Sequence, residues 1–243
     1  MRPARELKRC RRLHNSNVLF HDPQLSSRLM LEQRIQQHFI DSADLKYQTG
    51  PVLSKPISQA MQAILACVTS GGKVLACGSG VSGLLAAQFA AQFVGRFERE
   101  RPELGAIALP GDTTDPDADS ATAMDADRFA RQVRALGQAG DVLLALSASG
   151  QSAAVLAAVT AAHERDMTVV ALLGNAVSGP PSAPGAGSSG SGGAIGRALR
   201  ETDVQISVPH ERAARIHEIH QLALHCLCDG VDAQLLGEQE VSS

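Results

Sequence analysis

Short unbroken apolar runs alternate along this chain with stretches in which apolar side chains recur every three or four positions. The short runs are Lys73–Cys77, Gly105–Leu109, Asp141–Leu146, Met167–Leu173 and Asp203–Val208, and each has the length and composition of a strand buried on both faces. Helical spacing begins at Met30 (Met-Leu-Glu-Gln-Arg-Ile). It recurs over Leu53–Thr69, where Leu53, Ile57, Met61, Ile64, Leu65 and Val68 share a side until Gly71-Gly72 ends the pattern. Further helices are predicted at Gly83–Phe97, Arg128–Leu136 and Ala153–Glu164. A long last one, Glu211 to about Leu236, carries Ile216, Ile219, Leu222, Leu224, Leu227, Val231 and Leu235 on its apolar side. Strands alternating with helices predict an α/β domain with a parallel sheet covered on both faces. In such sheets ligands bind beyond the carboxyl ends of the strands.

Two strand ends carry candidate chemistry. After Asp141–Leu146 the chain reads Ser-Ala-Ser-Gly-Gln-Ser, so the hydroxyls of Ser147, Ser149 and Ser152, the N–H groups around Gly150 and the start of the next helix converge, as a phosphate site requires. The same residues equally suit a helix cap and a turn. After Lys73–Cys77 comes Gly78-Ser79-Gly80-Val81-Ser82, a second glycine loop opening a helix. It lacks the third glycine and the downstream acid of a dinucleotide fingerprint, so it is not read as NAD-binding.

Composition narrows the class. The 243 residues include no Trp and one Tyr, so the core must be aliphatic, and a net charge of -3 gives no general case for nucleic acid or an anionic membrane surface. No apolar run approaches membrane-spanning length, and the five Cys show no metal or redox spacing, which points to reduced thiols and a cytoplasmic protein. Residues 1–29 form a basic arm expected to be disordered, with Met30 as serviceable a translation start as Met1. Asp112–Asp127 reads as a solvated acidic loop, 175–196 as a flexible Gly/Ser/Pro-rich surface insertion, and 237–243 as a tail, which leaves 30–236 as the domain.

Several stretches together resemble the single-domain sugar isomerase (SIS) proteins of the phosphoheptose isomerase group, and within it the DnaA initiator-associating (DiaA-like) branch. They are Lys73–Ser82, Arg96-Phe97-Glu98 to Leu109, Gln132 to Ser152, Arg165 to Leu172, and Ala214-Arg-Ile-His-Glu-Ile-His to Leu236. The resemblance implies a three-layer αβα fold with a five-stranded parallel sheet and a long C-terminal helix. It implies a homotetramer, and serine loops that hold a sugar phosphate through Ser82, Ser147, Ser149, Gly150 and Ser152. It also exposes departures. Where metal-dependent members carry His and Glu four apart, this chain has Gln88 and Gln92; their Gln and His on the last helix align with His217 and His225. A neutral amide cannot abstract the proton that isomerisation moves, nor does it replace His or Glu well on zinc. His217, Gln221 and His225 share a helical face, which suits either a two-His metal site or satisfied structural histidines. His220 is read as structural. The Asn-Asp pair ahead of the Arg128 helix has no clear counterpart, and Ala148, Gln151, Ser79 and Val81 also depart from the group's loops.

These departures set the expectation of a non-catalytic, regulatory sugar-phosphate-binding protein without a cofactor. Leu235 and Leu236 would then be candidates for binding the DnaA replication initiator. The alternative is a phosphoheptose (sedoheptulose 7-phosphate) isomerase, with zinc required only in that case. A third reading, a DNA-contacting regulator, would need the basic arm and is disfavoured by the overall acidity.

Overall fold

The computed structural model describes residues 23–111, 126–175 and 192–237, with no side-chain description for 23–27 and 29. The acidic stretch 112–125, most of the Gly-rich insertion, residues 1–22 and the tail beyond 237 lie outside them. The chain divides into two units, Met1–Asp41 and Ser42–Ser243. Among the described residues no helix is long and apolar enough to cross a membrane.

The elements run α1 (Pro23–Thr69), β1 (Val74–Gly78), α2 (Val81–Val94), β2 (Ala106–Ala108), α3 (Arg128–Leu136), β3 (Val142–Ser147), α4 (Ala153–Glu164), β4 (Thr168–Gly174), α5 (Gly193–Ala198), β5 (Val204–Val208) and α6 (Ala213–Leu236). All five predicted strands form. They pair in parallel in the order β2-β1-β3-β4-β5, so the chain reverses its direction of growth between β1 and β3.

Period-two alternation sorts the strand side chains into two cores. Val74, Ala76, Val142, Leu144 and Leu146 face α1, α2 and α6. Leu75, Cys77, Leu143, Ala145, Val169 and Ala171 face α3, α4 and α5. This is the three-layer αβα architecture expected. Val74, Leu75, Leu143 and Leu144 are wholly excluded from solvent, and each such side chain contributes on the order of 1.5–3 kcal/mol.

Three details differ from the sequence reading. The two predicted N-terminal helices are one, α1, which runs through Pro51 and Pro56. Proline removes a backbone donor, but Leu45 and Leu53 on either side of Pro51 are both buried in the first core, and that packing holds the helix across the break. Leu222 is 43% exposed because it falls between the buried rows Ile216, Ile219, Ala223, Leu224, Leu227 and Val231. Within the predicted insertion, α5 begins at Gly193. The two flanks of the insertion meet, the N–H of Gly192 donating to Asn175 Oδ1 over 3.3 Å.

Candidate functional site

Both glycine loops leave the sheet where its winding reverses. β1 and β3 are neighbours with Gly78 opposite Leu146, so the two loops start side by side at the carboxyl edge, the place where such sheets bind ligands. Gly78 has to be glycine because a Cβ there would collide with the backbone of Ser82.

The serine cluster is buried: Ser82, Ser147, Ser149 and Ser152 are 3%, 4%, 8% and 1% exposed. Ser147 Oγ accepts the N–H of Gly150 over 3.0 Å, and Ser149 Oγ accepts that of Gln151 over 3.1 Å. Those two hydroxyls therefore build the turn, as the capping alternative required. Ser152 does not behave as that alternative required. It precedes α4, yet its side chain makes no capping hydrogen bond and lies 3.0 Å from Ser79 Oγ in the other loop. Gly150 has φ +67, and a Cβ on it would clash with the carbonyl of Gly192. Its own carbonyl accepts the N–H of Ile195 over 3.0 Å, and Gln151 Oε1 accepts that of Ala194 over 3.3 Å, so α5 braces the serine loop.

A second group of polar side chains lies where α2 faces α6. Gln88 Nε2 and His225 Nε2 are 3.2 Å apart, and Ser82 Oγ and His217 Nε2 are 3.4 Å apart. Burial depresses the pKa of His217 below its ordinary value, so at neutral pH the ring is uncharged. His220 is fully buried with Nε2 3.2 Å from the carbonyl of Leu173, which makes Nε2–H the donor. Burial lowers its pKa to about 4. The structural reading of His220 fits this environment. The carboxamide oxygen of Gln92 is buried with no partner among the described residues. The backbone carbonyl of Gln92 accepts from Arg101, whose Nε donates to Asp232 over 2.5 Å with both side chains 1% exposed. That ion pair ties the segment after α2 to the end of α6.

The zinc of metal-dependent members does not fit these residues. Among the described residues no three His, Cys, Asp or Glu side chains gather as a metal would need. Gln221, between His217 and His225 in sequence, is exposed rather than turned toward α2, and the group facing His225 is an amide.

Two contributors to the serine cluster are absent from the sequence reading. Ser79 bonds Ser152, and Arg128, the first residue of α3, donates from Nη2 to Ser79 Oγ over 3.1 Å. A signal for Arg128 exists in the sequence: a cation in the first turn of a helix opposes the helix dipole by about 0.3–1 kcal/mol, so it invites a reason other than helix stability. At the other end of the chain, Leu235 and Leu236 are 37% and 40% exposed, clear of the serine cluster.

The SIS domain model matches residues 37–174. The phosphoheptose isomerase of Methylibium petroleiphilum is 58% identical over 216 residues, 88% of this chain and 99% of the relative. Among solved structures, the phosphoheptose isomerase of Neisseria gonorrhoeae is similar with 43% identity and a TM-score of 0.68, covering 84% of this chain and 99% of that one. The one from Francisella tularensis has 39% identity and a TM-score of 0.69, covering 82% and 97%.

These matches overturn the expectation of a non-catalytic, regulatory protein. That expectation rested on Gln88 and Gln92, which are amides indeed, but the same cleft holds His225, a group that can take a proton. The expected role of Leu235 and Leu236 in binding DnaA rested on the regulatory reading and falls with it.

Proposed function

The chain belongs to the SIS domain family, in its phosphoheptose isomerase group, and from that premise we propose that it is a sugar-phosphate isomerase acting on sedoheptulose 7-phosphate. The observation that carries this reading is the 58% identity sustained over nearly the whole of a phosphoheptose isomerase. The arrangement of the two polar groups supports it. A ketose 7-phosphate has its phosphate and its reacting carbons at opposite ends of one chain, and this molecule has a serine cluster and a histidine cleft.

The division of labour follows from position. Ser82, Ser147, Ser149 and Ser152 hold the phosphate at the turn that Gly150 makes, assisted by the first turn of α4. His217 stands next to Ser82, at the phosphate end. His225 lies eight residues further along α6, about 12 Å at 1.5 Å per residue, which brings it to the far end where C1 and C2 would lie. There His225 takes a proton from C1 of the ketose and returns it to C2, while the hydroxyl proton passes from O1 to O2. C1 loses one proton and C2 gains one, and no redox partner is needed. Imidazole is the side chain most often used for such a transfer. Gln88, in contact with His225, can donate its amide N–H to the oxygen on which enediolate charge develops. In this scheme the neutral His217 does the hydrogen bonding that an amide does at the same position in the family. A homotetramer is part of the proposal. The apolar side chains Ile35, Phe39 and Ile40 that α1 leaves exposed give such an assembly a face to cover.

The test is direct. Purified full-length chain is incubated with sedoheptulose 7-phosphate, with and without added zinc, and the aldose product is followed. Turnover of roughly 1–10³ per second is expected. Its absence under both conditions overturns the proposal.

A further inference from the structure

We propose that Arg128 is a phosphate-binding residue, a cation set at the serine cluster to select dianionic phosphate monoesters; this rests on the reading of that cluster as the phosphate site. Four observations lead to it. The guanidinium reaches from the opposite helical layer into the carboxyl edge of the sheet and donates from Nη2 to Ser79 Oγ over 3.1 Å. Ser79 Oγ is in turn 3.0 Å from Ser152 Oγ, so a single hydroxyl separates the charge from the N-terminus of α4. The Nε–H of Arg128 is buried and has no partner among the described residues. A buried N–H left unpaired is costly, and a ligand oxygen would satisfy it. Finally, Arg128 Cζ lies 4.9 Å from the centroid of the Phe129 ring, which is wholly buried, so the guanidinium rests on a fixed platform.

The chemistry of the occupant follows. The serine hydroxyls and backbone N–H groups are neutral donors, and they can hold a monoanion or a neutral hydroxylated group as well as a phosphate. A guanidinium adds a permanent charge and a planar fork that matches two phosphate oxygens. With Ser79 bonding one nitrogen, the remaining donors can turn to a dianion bound against Ser152. The small side chain at Ser79 leaves the guanidinium its place, so the two residues act as a unit. Arg128 is a binding and specificity residue, with no part in the proton transfer assigned to His225.

The test measures affinity for inorganic phosphate and for sedoheptulose 7-phosphate by calorimetry at two salt concentrations, on the full chain. Arg128→Gln removes the charge and keeps comparable bulk; Arg128→Lys keeps the charge and removes the fork. Loss of one charge-assisted pair is expected to weaken binding on the order of tenfold or more in the Gln variant, with part of that recovered by Lys. The Gln variant should also show a shallower dependence of affinity on salt, which a merely structural role would not produce. Affinity and salt dependence in Arg128→Gln equal to wild type overturn the inference. If Ser149→Ala with Ser152→Ala meanwhile abolishes binding, the serine site itself stands and only Arg128 leaves it. Failure of the wild type to bind either compound overturns the phosphate-site reading and this inference together. Lys no better than Gln, with an unchanged salt dependence, assigns Arg128 to packing on Phe129 and likewise overturns it.

Discussion

The serine cluster and the histidine cleft are built by different means. The serine cluster is assembled largely from one short segment, Ser147–Ser152, whose own hydroxyls and N–H groups close the turn and whose position is set by a strand buried along its whole length. The histidine cleft draws Gln88 from α2 and His225 from α6, side chains 137 positions apart in the chain that meet only because two helices pack together. A site made mainly of backbone survives change in individual side chains. A site made of facing side chains can lose its carboxylate and keep its shape, and its chemistry then depends on whichever proton acceptor remains.

The cleft is the more fragile of the two. His225→Ala should lower kcat by about 10²–10⁴ while sedoheptulose 7-phosphate still binds, because proton transfer is lost and the serine cluster is intact. Steady-state kinetics with calorimetric binding would show the split; equal losses in both would mean His225 serves binding. The cleft also depends on its anchor. Asp232→Ala strands the buried Arg101 charge and should destabilise the fold by about 3–5 kcal/mol in urea unfolding, whereas Arg101→Met with Asp232→Leu should restore most of that.

At the serine cluster, Ser149→Ala with Ser152→Ala keeps the backbone donors and removes two hydroxyls, each hydrogen bond to charged oxygen contributing about 1.5–3 kcal/mol. Affinity for sedoheptulose 7-phosphate should fall by tens-fold or more, read by calorimetry, and kcat at saturation should change little. Unchanged affinity would return both serines to turn-making alone.

His220 separates the scaffold from the chemistry. Its folded pKa of about 4 lies below the ordinary 6.5, so below 6.5 the unfolded chain takes up a proton that the native one refuses. The stability this neutral ring supports is therefore full above 6.5 and is lost as pH falls toward 4, by roughly 3 kcal/mol in all. Protonation would also put a second N–H on a ring whose Nδ1 has no partner among the described residues. Urea midpoints between pH 7 and pH 4 should fall accordingly, and His220→Gln should flatten that part of the curve.

The smallest effect is expected at His217. Burial keeps it neutral at pH 7, so His217→Gln should change kcat/KM by only a few tenths of a kcal/mol there, since one neutral hydrogen-bonding group replaces another. Parallel assays at neutral pH would check this, and a large loss would make His217 rather than His225 the proton carrier.

This contrast also explains how far the sequence could be read. Unbroken runs such as Val142–Leu146 can only be buried strands, and the glycine-serine loops follow them directly, so the sheet and the serine cluster were legible in local sequence. Arg128 is legible only as a cation ill placed at a helix start; its partner Ser79 lies 49 positions earlier, and nothing local links the two. The expectation of a non-catalytic protein weighs Gln88 and Gln92 at their own positions, while the imidazole that meets Gln88 sits on another helix. The single helix α1 is illegible for the opposite reason: it runs through Pro51, held by the packing of Leu45 and Leu53 on either side of that proline.

The clasp between Gly192 and Asn175 suggests a use of the molecule as a reporter. Those two residues fasten the flanks of the segment between them, and Gly192 also presses on Gly150 in the serine loop. Chain spliced between fastened ends meets only the slow growth of closure entropy, about 0.6 kcal/mol for each doubling of length. A fluorescent module grafted between residues 176 and 191 would thus leave the sheet unburdened while remaining joined, through two glycines, to the turn proposed to hold the phosphate.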